Sequence, residues 1–127
     1  MNIERFRQLC LEKPGATEET PFGPDTLVFK VGGKIFALAG LEPFGSVNLK
    51  CDPERALELR ESHAGIIPGY HMNKMHWNTV LTDGSVKDAL IMELLAHSYA
   101  LVRASLPHTV QAQLGEEAQV RPGWPDA

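Results

Sequence analysis

The chain has 127 residues, 43% of them hydrophobic and 22% charged, with a net charge of −4 and an isoelectric point near 5.7. This composition predicts one globular domain and argues against a strongly basic nucleic-acid protein, because phosphate neutralisation supplies most non-specific nucleic-acid affinity. The widely spaced Cys10 and Cys51 form neither a disulfide framework nor a zinc pattern, so we expect two buried thiols. The chain shows no signal-peptide stretch and no run near the ~20 apolar residues of a membrane span, so we expect a cytoplasmic protein.

The first helix is predicted from Asn2, a good N-cap, followed by Ile3, Phe6 and Leu9 at helical spacing. Pro14 ends it because proline disfavours helix in the residue before it. Residues 14–25 are rich in Pro, Gly, Thr and Glu, which predicts a loop.

Two β-prone runs, Thr26–Val31 and residues 34–39, flank Gly32-Gly33, and this pattern predicts a tight hairpin. Counting outward from the turn pairs Val31 with Lys34 and Phe29 with Phe36. Directly opposed residues share a face of the sheet. The predicted core face carries Leu27, Phe29, Phe36 and Leu38, and the other face carries Val28, Lys30, Ile35 and Ala37.

Residues 46–51 alternate between apolar and polar, which predicts a half-buried strand with Lys30, Asn48 and Lys50 on one solvated side. Asp52 and Pro53 then predict a helix start, with the helix running to about Glu61. Residues 63–69 are predicted to be irregular because they contain two glycines and a proline.

Residues 77–81 are predicted to form a strand, followed by a turn at 82–84. Ser85 and Asp88 resemble a capping box for a long helix ending near Ser105. One apolar stripe of that helix is predicted from Ile91, Leu95, Tyr99 and Val102, with Leu94 beside it. Residues 108–127 are predicted to be a loosely ordered polar tail, after a single domain at 1–107. This order predicts an α+β fold, an antiparallel sheet with helices packed on one face.

Residues 69–77 hold the densest set of chemically versatile side chains in the chain. His71 and His76 are five residues apart, a spacing that suits a shared metal ion on neither a strand nor a helix. No nucleophile elbow or phosphate-binding loop accompanies them. We therefore predict no metal, no cofactor and no catalytic residue, and a protein that is not an enzyme.

Two interpretations of this stretch are favoured. If it is extended, Met72, Lys74, His76 and Asn78 share one face and would suit a nucleic-acid contact. Alternatively the stretch is architectural, with Met75 and Trp77 in the core and Tyr70, His71 and Asn73 bonded to loop backbone.

The run His71-Met72-Asn73-Lys74-Met75-His76-Trp77 resembles the MmcQ/YjbR family of small bacterial proteins. Supporting similarities are Pro14-Gly15, the Phe29–Phe36 hairpin, and Ser98-Tyr99-Ala100-Leu101-Val102 before Leu106-Pro107. The resemblance covers roughly residues 3–107. It implies a fold like that of the CyaY/frataxin group and DNA binding through a double-wing arrangement.

We accordingly expect a monomeric, non-membrane protein with DNA as its partner, bound by a weakly basic face. The predicted contact residues are Lys30, Lys34, Lys50, His71, Asn73, Lys74, His76 and Trp77. The alternatives are a small-molecule pocket or an enzyme at 71–77, a protein-interaction surface on the exposed sheet face, and a frataxin-like iron-binding role. The iron-binding role lacks its expected acidic ridge, because the basic residues Arg5, Arg7 and Lys13 lie among the acidic residues of the first helix.

Overall fold

The computed structural model describes residues 1–41, 43–70 and 72–115, which form helices and a six-stranded antiparallel sheet. The helices are α1 (Ile3–Leu11), α2 (Pro53–Ser62), α3 (Asp88–Ala104) and α4 (His108–Gln113). The strands are β1 (Thr17–Glu19), β2 (Thr26–Val31), β3 (Lys34–Gly40), β4 (Ser46–Lys50), β5 (Ile66–Pro68) and β6 (Trp77–Leu81). Their order across the sheet is β1-β2-β3-β4-β6-β5. The predicted α+β class is confirmed.

Two of the three predicted helix starts are confirmed. The Asn2 side chain accepts a hydrogen bond from the Arg5 N–H at 2.8 Å, and Asp52 accepts one from the Arg55 N–H at 3.2 Å. The predicted capping box is wrong. Ser85 donates its hydroxyl to Asp83 at 2.6 Å instead, within the preceding turn, and no side chain caps α3 at Lys87.

A single core lies between one face of the sheet and helices α1, α2 and α3. Phe6 of α1 meets Phe29 edge-on with ring centroids 6.0 Å apart, and Tyr99 of α3 meets Phe36 in the same way at 5.3 Å. The predicted α3 stripe is confirmed, since all of its members are buried: Ile91, Leu94, Leu95, Tyr99 and Val102.

A β-bulge corrects the predicted hairpin register. Val31 pairs with Lys34 as predicted, but Phe29 pairs with Ala37 and Leu27 with Ala39. Phe36 is the extra residue, so Ala37 joins the core cluster, and Leu38 turns to the opposite face beside Val28. The prediction that Leu38 is core and Ala37 is solvent-facing is therefore wrong.

Ser98 of α3 supplies the physical reason for the bulge. Its buried hydroxyl donates to the Phe36 carbonyl at 2.6 Å and accepts from the Lys50 N–H at 2.9 Å. These two backbone groups of neighbouring strands meet through the hydroxyl, so the locally disrupted ladder leaves neither of them unpaired.

Two short strands lie where irregular chain was predicted. β1 falls within residues 14–25 and pairs with β2, and β5 falls within residues 63–69 and pairs with β6. Side chains fasten β1 to its surroundings: Arg7 of α1 pairs with Glu18, and Lys30 Nζ lies 3.1 Å from a Glu19 carboxylate oxygen. The hydrogen-bonded Arg7 guanidinium lowers the pKa of the Glu18 carboxyl.

The first part of the predicted tail forms helix α4. Arg103 of α3 donates a hydrogen bond to the Gln111 carbonyl of this helix at 3.3 Å. Val110 and Leu114 pack on the edge of the core. The rest of the predicted tail, 116–127, lies outside the described residues. Among the helices that the structure describes, none has the length and hydropathy needed to cross a membrane.

Candidate ligand-binding groove on the open face of the sheet

The face of the sheet opposite the helices, here called the open face, is built from a row of directly opposed residues. Val28 pairs with Leu38, Leu38 with Asn48, and Asn48 with Thr79. Because opposed residues share a face, all four side chains lie on this side. The row is apolar at the β2–β3 hairpin and polar at β4 and β6.

A groove of about 460 Å³ lies on the open face. Leu38, Ser46 and Asn48 contribute from the strands, and Phe22, Tyr70 and Met72 contribute from two loops. The volume lies within the range of small-molecule sites, roughly 300–1,000 Å³. None of the described residues that line the groove carries a formal charge.

A hydrogen-bond relay crosses the open face beside the groove. The Tyr70 N–H donates to the Thr79 hydroxyl at 2.9 Å, and that hydroxyl donates to the Asn48 side-chain oxygen at 2.5 Å. The relay occupies the oxygen of the Asn48 carboxamide. Its amino group has no hydrogen-bond partner among the described residues, which leaves a donor at the groove.

Two large side chains at the groove are unusually exposed. Phe22 and Tyr70 each keep 67% of their surface accessible, although both line the same concavity. Scattered apolar residues are common on surfaces, but two aromatic rings at one groove, together with the half-buried Met72, form a local apolar patch.

The stretch at 69–77 does not run as the extended segment on which the predicted nucleic-acid face depended. Residues 74–76 form a turn, and the side chain of the preceding Asn73 accepts from the Met75 N–H at 2.9 Å. The Gly69 N–H closes the loop on the Trp77 carbonyl at 2.9 Å. A Cβ on Gly69 would lie 2.8 Å from the Trp77 Cβ, so this close approach requires glycine.

Arg60 of α2 ties this loop to the helical layer. Its Nε donates to the Asn78 side-chain oxygen at 2.8 Å, and its Nη2 donates to the Lys74 carbonyl. The Asn78 amide in turn donates to the Ala56 carbonyl at 3.4 Å. Asn78 is therefore buried against α2, and its predicted place beside Met72 and His76 on a wet face is wrong.

The predicted contact lysines occupy different parts of the surface. Lys30 and Lys50 lie on the open face, in line with the predicted solvated side shared with Asn48. Lys34 is opposed to the buried Val31, which puts it on the side of the helices. Lys74 lies in the turn held by Arg60. The four lysines do not form one face.

The other predicted contacts are dispersed as well. Trp77 is directly opposed to Lys50 and is half-buried on the open face, and Met75 is 63% exposed. The architectural alternative is therefore wrong in placing both of these in the core, but its backbone role for Asn73 is confirmed. His76 accepts the Cys51 N–H through its carbonyl at 2.8 Å. His71 lies outside the described residues.

Cys10 and Cys51 are both free and buried, as predicted, and burial raises the pKa of each thiol. A buried thiol with a raised pKa is a poor nucleophile because the thiolate is the reactive form. Within the described ranges, no three His, Cys, Asp or Glu side chains form a group suited to a metal ion.

Sequence reasoning missed most of the groove. Asn48 and Thr79 lie on predicted strands, but their hydrogen bond depends on a cross-strand register that no local pattern fixes. Phe22 and Tyr70 come from loops, whose course over a sheet leaves no periodic signal. The alternation Ser46, Asn48, Lys50 was the one usable sign, since it predicted a polar open face.

A family model described as YjbR matches residues 11–101 of the chain. YbdF of Escherichia coli O157:H7, an uncharacterised protein, is 39% identical over 121 residues, which is 94% of each chain. YjbR of E. coli strain K12, also uncharacterised, is 37% identical over 108 residues, 84% of this chain and 92% of the relative.

Solved structures show the same similarity. A crystal structure of a Deinococcus radiodurans DUF419 protein superposes with a TM-score of 0.85 at 41% identity, covering 90% of this chain and 88% of that one. A Pseudomonas syringae protein gives a TM-score of 0.69 at 32% identity, with 80% and 99% coverage.

Proposed function

The chain belongs to the YjbR (MmcQ/YjbR) family, and from its geometry we propose that it is a non-enzymatic binding protein that holds a small uncharged ligand in the open-face groove. One observation carries this proposal. The groove combines exposed aromatic rings, Phe22 and Tyr70, with a directed donor at Asn48, and no charged side chain among the described residues lines it.

The combination suits recognition of a small molecule. Ligand sites are concave and mostly apolar, with a few polar groups that fix orientation. An apolar body placed against Phe22 and Tyr70 would remove exposed aromatic surface from water, at roughly 25 cal/mol per Å² buried. The Asn48 amino group would then orient the ligand.

The chemistry at the groove supports binding without catalysis. Ser46 is its only serine among the described lining residues, and no histidine or carboxylate of that set accompanies it as a base. A hydroxyl without an adjacent base is a weak nucleophile. The two thiols of the chain lie in the core instead.

Nile red, a flat uncharged dye that fluoresces in apolar surroundings, tests the proposal. We expect it to bind the full chain, and Ser46→Arg to weaken binding by about tenfold or more, because the new side chain fills the groove and brings an unpaired charge. Ser62→Arg makes the same change on the exposed end of α2 and should leave affinity unchanged. Equal affinity for all three proteins would contradict the groove as the site.

Nucleic acid is the second candidate, favoured by the direct opposition of Lys50 and Trp77 on the open face, with Lys30 on the same side. A lysine beside an aromatic ring suits a phosphate next to a stacked base. Lys30 is already paired with Glu19, which leaves Lys50 as the principal open-face cation of this candidate.

A salt series with single- and double-stranded DNA separates the two candidates. Phosphate contacts must weaken as salt rises, whereas binding of an uncharged dye should hardly change. If DNA is the ligand, Lys30→Glu with Lys50→Glu abolishes binding, while Lys87→Glu, the same change beside α3, does not. Salt-sensitive DNA binding without Nile red binding would replace the first proposal with the second.

A further inference from the structure

We infer that Asn48 determines the ligand class of the groove, selecting a flat, uncharged molecule that carries a carbonyl-type hydrogen-bond acceptor. This inference rests on the proposed function, because it concerns the same groove. The amino end of the Asn48 carboxamide meets the ligand, so the ligand must offer a hydrogen-bond acceptor.

The orientation of Asn48 follows from the relay. The Thr79 hydroxyl accepts the Tyr70 N–H at 2.9 Å and donates its own proton to the Asn48 oxygen at 2.5 Å. Turning the carboxamide over would place its amino group against Thr79 and deprive the Thr79 proton of this acceptor. The relay therefore holds the amino group as the free end of Asn48.

A fixed donor selects against ligands that cannot accept a hydrogen bond. A ligand without an acceptor would cover the amino group and leave it unpaired, which is unfavourable for a desolvated polar group. An anionic ligand would also lose its hydration, with no cation among the described lining residues to compensate.

The shape of the ligand follows from the walls. Leu38 is 8% exposed and forms an apolar part of the floor, and Phe22 and Tyr70 contribute aromatic surface. Aromatic rings pack well on flat ring systems in stacked or edge-to-face arrangements. The expected ligand therefore has a planar apolar body with its acceptor at the edge near Asn48.

Three small probes of similar shape test this inference, with binding followed by ¹H–¹⁵N NMR chemical-shift changes. Acetophenone has a flat ring and a neutral carbonyl acceptor, ethylbenzene has a methylene in place of the carbonyl, and benzoate has the ring with a negative charge. We expect acetophenone to bind about fivefold tighter than ethylbenzene, the ratio that corresponds to one net hydrogen bond. Benzoate should bind most weakly.

Variants locate the source of that ratio. Asn48→Ala should bring the acetophenone-to-ethylbenzene ratio close to one, with ethylbenzene binding at least as tightly as before, because the donor that it leaves unpaired is gone. Thr79→Val removes the hydroxyl that orients Asn48 and should lower the ratio, and Thr79→Ser retains the hydroxyl and should restore it. Because the readout is a ratio, a general loosening of the fold does not imitate this result.

Failure of this inference is distinguishable from failure of the proposed function. Ethylbenzene and acetophenone binding equally at the groove, or a ratio unaffected by Asn48→Ala, would overturn the role of Asn48 but retain the groove as a binding site. No shift change at groove residues with any probe, together with no Nile red binding, would overturn both.

Discussion

Two ends of the same open sheet face differ in their charge and in their exposed aromatic surface. At the lysine end, defined here as Lys30, Ile35, Lys50 and Trp77, the Lys30 charge is paired with Glu19. At the groove end, defined here as Phe22, Ser46, Asn48 and Tyr70, two aromatic rings are 67% exposed and one amide donor is unpartnered within the described structure. Exposed aromatic surface beside a free amide donor, rather than the density of reactive residue types, marks the better candidate site.

The bulge at Phe36 separates the two ends. Beyond it, Leu38 rather than Ala37 faces the open side, which gives the groove an apolar floor. Before it, Ile35 lies opposite Lys30 at the lysine end. A regular hairpin would have placed Ala37 on the open face and Leu38 in the core.

The largest expected effect on the free energy of unfolding comes from Ser98→Ala, which removes the hydroxyl that bonds the backbone at the bulge. Removing the hydroxyl leaves the Phe36 carbonyl and the Lys50 N–H without their buried partner, so we expect the free energy of unfolding to fall by about 3 kcal/mol. Urea denaturation measures it, with the exposed Ser62→Ala as control. A loss below about 0.5 kcal/mol would show that the bulge does not depend on Ser98.

Arg60→Met should have a smaller effect, which falls on the loop that carries Tyr70 to the groove. The change keeps the aliphatic stem but leaves the Asn78 oxygen unpaired, so we expect a loss of about 1.5 kcal/mol in the free energy of unfolding. Faster hydrogen exchange in residues 72–76 should accompany it. Arg5→Met, on the exposed side of α1, should change neither measurement.

Lowering the pH should reduce the free energy of unfolding through His97 of α3. His97 accepts the Asp52 N–H at 3.2 Å, and burial, followed by the Arg55 charge, lowers the pKa of His97 below its usual 6.5. The unfolded chain therefore binds the proton first as the pH drops, and the free energy of unfolding should fall from about pH 6.5 towards the lower folded pKa. Urea titrations across this range should show a flatter profile for His97→Gln.

The smallest expected effect is at the exposed ion pair between Lys30 and Glu19. Lys30→Ala removes the contact with Glu19. Because surface ion pairs contribute little, the free energy of unfolding should fall by about 0.5 kcal/mol or less. Glu19→Ala should do the same, and the double variant should be nearly additive. A coupling energy above about 1 kcal/mol would mean that this pair organises the lysine end more strongly than its exposure suggests.

The sequence predicted those parts of the fold that depend on local chemistry. The Gly32-Gly33 turn, the Asp52 cap and the α3 stripe each follow from neighbouring residues, and each is confirmed. The bulge was not predictable because its partner, Ser98, lies 62 residues beyond Phe36. Strands β1 and β5 have three residues each and depend on pairing with longer strands.

The candidate site was less accessible to sequence reasoning for a related reason. The nucleic-acid face was predicted because residues 69–77 are rich in reactive residue types. In the structure, however, Asn73 and the carbonyl groups of Lys74 and His76 form the hydrogen bonds that hold the loop. The groove instead depends on a loop that passes over the sheet, and the Tyr70–Thr79 contact fixes that course.

One NMR experiment tests most directly whether the groove end, rather than the lysine end, is the binding surface. Titrating the ¹⁵N-labelled chain with acetophenone should shift the backbone amides of Ser46, Asn48 and Tyr70, with Lys30, Lys50 and Trp77 unaffected. Saturable shifts confined to the lysine end, with the groove amides unchanged, would contradict the account.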